Sequence, residues 1–271
     1  MHDVQYQDLP SRGLGIAHGY GPNVHLLSYP FAMSLLEQLC SPSVSQPSVN
    51  HLVAKLYDIL LSEVASTVLS RETISSPTRM TEFTPCGIYN GQRIDRRQRI
   101  VVVDVARAGI LPSHRFYEGL HSVVDADSIR QDHVVASRIT DSTGAVTGVN
   151  LDGSKIGGPI DDSTVIFPDP MAATGSSIAG GIDHYLNLGG GRPKALVAVH
   201  LIVTPEYLQR MTQSFPDLQI FAVRLDRGLS EPAVLETLPG TQWANEKGLT
   251  DNQYIVPGAG GVGELLNNAW I

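Results

Sequence analysis

The residues best placed to do chemistry are the nine of "DPMAATGSS", Asp169 to Ser177. An apolar, β-branched run, "TVIF" at 164–167, leads into the carboxylate of Asp169, and Pro170 biases that residue toward extended backbone and ends the strand. Ala172, Ala173 and Gly175 permit a tight turn with close backbone approach, while Thr174, Ser176 and Ser177 offer hydroxyls. An apolar stretch with helical spacing follows. Free N–H groups at a helix start, with roughly half a positive charge from the helix dipole, make an anion site. A carboxylate at one end of the turn and an anion site at the other suit a sugar phosphate. The same pattern also reads as an ordinary strand–turn–helix with a Ser or Thr cap, and the local letters leave both open.

Rival motifs fare worse. There is no G-x-x-x-x-G-K-[ST] and no lysine in the turn, which argues against a nucleotide triphosphatase. "GSSIA" (175–179) lacks the final glycine of a nucleophile elbow. "GAGGVG" (258–263) matches G-x-G-x-x-G, but only eight residues follow it, too few for a βαβ unit and its distal acid. With 19 Lys+Arg against 27 Asp+Glu the formal charge is −8, which disfavours nucleic acid and anionic membrane surfaces as partners. Two cysteines, Cys40 and Cys86, show no zinc spacing, and no window approaches 18 apolar residues, so the expectation is a soluble cytoplasmic protein.

The elements that must position this turn follow from periodicity. Residues 1–23 read as an N-terminal arm or mobile leader, and 24–271 as a single domain. Apolar spacing of three and four predicts helices over 31–40 and 51–70. Residues 71–98 read as irregular or β. From Arg99 onward strands and helices alternate: strand 99–106, turn "RAGILPS", helix 114–123 and strand 133–139. A hairpin arm over about 138–160 comes next, with Asp152–Gly153 as its turn. Strand 164–167, helix 176–188, strand 195–202, helix 205–214, strand 219–225 and a last short strand 254–257 complete the chain. Almost continuously apolar strands alternating with helices imply an α/β fold, a mostly parallel sheet covered on both faces. The stretch 228–252 is too long for an ordinary connection and implies an insertion, about 231–248, near a sheet edge.

Taken together, four stretches resemble the uracil phosphoribosyltransferase family, of type I phosphoribosyltransferase fold. "DPMAATGSS" is similar to the family's phosphoribosyl diphosphate (PRPP) loop, commonly D-P-M-L-A-T-G-G-S. Arg107, Ala108 and Gly109, "RAG" after a strand, are similar to the turn that contacts the pyrophosphate of PRPP. Arg138 falls where the family has its second PRPP-binding arginine, and "YIVPG" from Tyr254 matches the loop whose backbone reads the uracil edge. The resemblance implies transfer of the phosphoribosyl group of PRPP to uracil, giving UMP and diphosphate, with Mg²⁺ held mainly by PRPP. It implies catalytic roles for Asp169 and Arg107. PRPP binding falls to Arg107, Ala108, Gly109, Arg138, Asp169, Pro170, Met171, Ala172, Ala173, Thr174, Gly175, Ser176 and Ser177. Base binding falls to Tyr254, Ile255, Gly260, Gly261 and Val262. A homodimer is expected, since family members are typically oligomeric and helices 31–70 offer apolar faces.

The chain also departs from that pattern. Gly261, Glu264 and Leu265 stand where the family has Asp, Asp and Arg, Asp104 replaces a proline, and Cys40–Ser41 replace an Arg–acid pair. A transferase for another base and a PRPP- or nucleotide-binding sensor without catalysis are therefore the alternatives. Asp104 is open between contacting ligand or metal and pairing with Arg107. His133 and His200, inside apolar strands, read as satisfied core histidines.

Overall fold

The computed structural model describes residues 15–140, 146–188 and 190–269, with side chains outside 136–152. Its main sheet contains β1 (Val24–Leu26), β4 (Ile100–Ala106), β5 (Ile129–Thr140), β6 (Val146–Lys155), β7 (Thr164–Pro168), β9 (Ala195–Val203) and β10 (Gln219–Leu225). The two-residue strand β8 (Met171–Ala172) pairs with β9. Strand order is β1-β10-β9-β7-β4-β5-β6, parallel throughout except for the antiparallel β5–β6 pair. β2 (Arg71–Pro77) and β3 (Ile88–Ile94) form a separate antiparallel pair.

Alternation along each strand sends side chains to opposite faces. Ile100, Val102, Val199 and Phe221 pack under α1 (Pro30–Cys40), α2 (Ser48–Val68) and α3 (Ile110–Leu120). Val101, Val103, Phe167 and Ala198 pack under α4 (Ser176–Leu188) and α5 (Pro205–Ser214). Both faces are therefore covered, as the unbroken apolar strands require. The apolar faces of α1 and α2 are spent on this core: Leu36, Leu39, Val53, Leu56 and Leu60 are all buried within the chain.

Four local expectations need correction. α3 begins at Ile110, because Pro112 sits in its first turn, where the missing N–H costs nothing. Asp152–Gly153 lies inside β6, with Gly153 opposite Val135. Pairing then jumps to Ser137 opposite Asn150, so the dipeptide marks a register shift and not the hairpin turn. Residues 254–257 are not a strand; only Ile255 bridges Leu249, and the cis Val256–Pro257 bond precedes left-handed Gly258. Finally, the described part of the leader is docked. Gly15 bridges Leu27, and Tyr20 is buried with its hydroxyl donating to Glu246.

That last contact also explains the insertion. It contains α6 (Pro232–Leu235) and a 3₁₀ turn at Trp243–Asn245. Buried Glu246 accepts from Arg227 at 2.9 Å, from the Gly240 N–H at 2.8 Å and from Tyr20, while Trp243 meets the Tyr20 ring edge-on at 4.9 Å. A buried carboxylate needs such partners to stay charged. The insertion and residues 15–23 thus close over the β1 edge together.

Candidate active site

Asp169 stands just beyond β7, at the carboxyl edge of the parallel sheet, where such folds bind ligands. Its N–H donates to the Val199 carbonyl at 3.0 Å, and its Oδ1 accepts the Met171 N–H at 3.1 Å. Its own carbonyl accepts from Nδ1 of fully buried His200 at 2.7 Å, and His200 Nε2 lies 2.6 Å from the Tyr207 hydroxyl. A carbonyl can only accept, so Nδ1 carries the proton and Nε2 accepts from Tyr207. Burial holds His200 down at about 4, the neutral form this relay needs. Burial, with the nearby Asp169 charge, pushes the Tyr207 and Tyr57 hydroxyls well up. His200 is thus a satisfied core histidine, as expected, but one that holds the backbone of the candidate carboxylate.

The turn after Asp169 is tied to α5. Thr204 caps that helix by accepting the Tyr207 N–H at 3.0 Å and donates its hydroxyl to the Ala173 carbonyl at 2.7 Å. Gly175 has φ of +78°, and a Cβ there would stand 3.1 Å from Tyr207 Cδ2 and 3.2 Å from Met211 Sδ. Only glycine satisfies both the left-handed backbone and the close approach. Thr174 Oγ1 lies 3.1 Å from Ser176 Oγ and accepts the Ser176 N–H at 3.3 Å. The Ser176 hydroxyl also accepts from Arg210 of α5. The turn leads directly into α4, whose first N–H groups have no partners within the helix.

Two further segments converge on this corner. The peptide Ala106–Arg107 is cis, and Gly109 packs so closely that a Cβ would come within 2.8 Å of the Val105 carbonyl and 3.1 Å of the Pro168 carbonyl. The Arg107 turn therefore abuts the end of β7. Arg107 is exposed and forms no ion pair among the described residues. From the other side, a Cβ on Gly263 would lie 3.6 Å from Ala108 Cβ, so α7 (Val262–Asn267) brings the 254–265 loop against the same turn.

That loop is clamped from β10. Arg224 forms a two-armed ion pair with buried Asp226 at 2.6 and 2.8 Å. Asp226 Oδ2 accepts the Gly258 N–H at 2.7 Å, and Arg224 Nη2 donates to the Gly258 carbonyl at 3.2 Å. Both backbone groups of one glycine are held. Glu206 of α5 accepts the N–H groups of Gly248, at 2.9 Å, and Leu249, at 3.2 Å, bracing the segment before it. Tyr254 is exposed, Ile255 half-buried, and Gly260 left-handed at φ +69°. Gly261 is the N-cap of α7, and a Cβ there would fall 2.5 Å from Glu264 Oε2. The Val262 N–H is already donated to the Gly260 carbonyl at 3.1 Å.

Arg138 lies on β5 opposite Val149, and its side chain is outside the described residues. The root of its arm is fastened to α4: buried Asp132 accepts from the Tyr185 hydroxyl at 2.5 Å, Arg130 at 3.1 Å and the Gly157 N–H at 3.0 Å. Asp104 forms no ion pair with Arg107 among the described residues. Its Oδ2 lies 3.1 Å from Nδ1 of His133, and its buried Oδ1 has no hydrogen-bond partner. Burial raises the Asp104 carboxyl, with His133 opposing. His133 is itself half exposed, so it is no core histidine: as its register partner on the neighbouring strand, it caps a carboxylate whose other side is dry. Among the described residues no group of three or more His, Cys, Asp or Glu side chains forms a metal cage.

Four residues in this corner had no sequence signal of their own. His200 carried only its place in an apolar strand. Arg224 and Asp226 are spaced to share a strand face, but nothing local tied them to Gly258. Arg210 looked like any exposed helix arginine.

Comparison with known proteins bears on the family and the fold. The family model described as uracil phosphoribosyltransferase matches residues 26–244, ending before the 254–265 loop. The uracil phosphoribosyltransferase of Thermococcus gammatolerans is 27% identical over 237 residues, covering 87% of this chain and 88% of that protein. That of Dictyoglomus turgidum is 28% identical over 233 residues, covering 82% and 96%. The structure of the AQ2163 protein from Aquifex aeolicus shares the fold, with a TM-score of 0.67 at 21% identity over 92% of this chain and 99% of that one. With four-fifths of its length matched by that one model, the chain belongs to the uracil phosphoribosyltransferase family.

Proposed function

We propose that the protein transfers the phosphoribosyl group of PRPP to uracil, releasing diphosphate and forming UMP. The observation that carries this reading is the corner itself. A carboxylate and a phosphate turn occupy one continuous segment, anchored to β9 and α5, with an arginine turn packed against its root. Asp169 accepts hydrogen bonds from the ribose hydroxyls, and Thr174 to Ser177 with the α4 N-terminus hold the 5′-phosphate. Arg107 and Arg138 neutralise the diphosphate through forked, charge-assisted bonds as the C1′–O bond breaks. A uracil nitrogen forms the new bond at C1′ with inversion. The barrier falls through positioning and charge stabilisation, without a covalent nucleophile.

Magnesium fits this arrangement. The buried, unpartnered Oδ1 of Asp104 is a hard oxygen donor close to the start of the Arg107 turn. Most of the ion's ligands would be diphosphate oxygens and water, and when bound it would neutralise charge on the leaving group. Backbone groups of the 254–262 loop read the base, and the Arg224–Asp226 clamp keeps them in register. The reading further includes a cytoplasmic location and a homodimer, and sedimentation of the purified protein tests the dimer.

The decisive experiment is a panel of pyrimidine and purine bases with Mg-PRPP, read as diphosphate release. Release with uracil alone supports the reading. Release with a different base transfers the proposal to that base, and tight PRPP or nucleotide binding without any turnover makes the protein a sensor.

A further inference from the structure

Arg210 has no role in the reading above, yet its guanidinium reaches the phosphate turn. It lies on the exposed face of α5, 34 residues beyond Ser176, and Nη1 donates to the Ser176 hydroxyl. The stem is held as well as the head: the Cβ position of left-handed Gly175 is 3.4 Å from Arg210 Cδ. The arginine therefore lies along the turn that opens α4.

Its charge is not spent elsewhere. The helical neighbour that would ordinarily neutralise it is Glu206, one turn earlier. Glu206 instead turns its carboxylate to the Gly248 and Leu249 N–H groups, at 2.9 and 3.2 Å. Arg210 forms no ion pair among the described residues, in a chain that carries a formal charge of −8. An unpaired guanidinium bound to a hydroxyl at a helix N-terminus places one full positive charge beside an already anion-favouring turn. A guanidinium also has donors left after one bond to a hydroxyl.

We propose that Arg210 is a phosphate-binding residue, contributing its charge and remaining N–H donors to the 5′-phosphate of PRPP and of the nucleotide product. This rests on the reading of 169–177 as the ribose 5-phosphate grip. In that role Ser176 is the hinge that aims the guanidinium, and α5 becomes a wall of the substrate site and not only a cover for the sheet.

The test is binding of UMP and of uridine, which differ only in the phosphate, to the wild type, Arg210→Gln and Arg210→Lys. The loss of one exposed charge-assisted contact should weaken UMP binding about tenfold in Arg210→Gln and leave uridine unchanged. KM for PRPP should rise in parallel, Lys should restore part of the loss, and the salt dependence of UMP binding should be shallower in Arg210→Gln. Unchanged UMP affinity in that variant, or equal weakening of UMP and uridine, overturns the inference. Failure of the wild type to bind either UMP or PRPP overturns instead the reading on which it rests.

Discussion

Acid should reach the phosphate turn through His200. Its neutral ring donates from Nδ1 to the Asp169 carbonyl and accepts at Nε2 from Tyr207, with no exposed surface. A second proton would set two donors, the ring N–H and the phenol, against each other in a dry site. The folded protein therefore resists protonation down to about 4, whereas the ordinary value, which the unfolded chain keeps, is 6.5. Between those values the unfolded chain binds more protons, so stability is full above the upper value, falls as pH drops through the window and levels off below the lower one. At about 1.4 kcal/mol per decade the full cost is about 3 kcal/mol, most of it felt near pH 4.5. Urea unfolding at about pH 7.5 and about pH 4.5 would compare wild type with His200→Gln. The glutamine amide can donate to one partner and accept from the other without titrating. Wild type should lose about 2 to 3 kcal/mol more than the variant between the two pH values. Comparing each protein with itself cancels any fixed cost of the substitution. An equal acid loss in both proteins would refute the account of His200 as a neutral, buried link.

Two other substitutions probe the corner. Asp169→Asn leaves the backbone anchors to β9 in place but removes the charge that accepts ribose hydroxyls, so kcat/KM for PRPP should fall roughly 10- to 100-fold with the far-UV spectrum unchanged; wild-type kinetics would remove Asp169 from the mechanism. Asp226→Asn weakens the pair with Arg224 that grips Gly258, so KM for the base should rise by roughly tenfold and KM for PRPP much less. A parallel rise in both would mean that the clamp supports the whole site and not the base loop.

Much of this corner was legible before any coordinates. The strand ending before Asp169, the turn through Ser177 and helix 176–188 are local, and their conformation follows from neighbouring residues. The same holds for helix 205–214 and strand 219–225, whose periodicity the structure reproduces at the same residues. Local rules failed where a distant partner outvoted them. Asp152–Gly153 has turn chemistry, yet pairing with β5 draws it into a strand. Residues 15–23 have leader composition, yet Tyr20 finds Glu246 and Trp243 more than 220 residues away. Residues 254–257 have strand composition, yet no ladder is available beyond the bridge to Leu249.

Hydrophobic period, proline and glycine act over a few residues, so the letters alone specify an α/β sheet strand that ends in a carboxylate, a tight turn and then a helix. What that turn leans on is set by contacts between distant parts of the chain. His200 holds Asp169 from a neighbouring strand, Arg210 reaches Ser176 from the next helix, and the Arg224–Asp226 pair fixes Gly258 across the sheet edge. Each of these contacts is a hydrogen bond a few ångströms long, and such a bond forms only after the parallel crossovers have brought its two ends together.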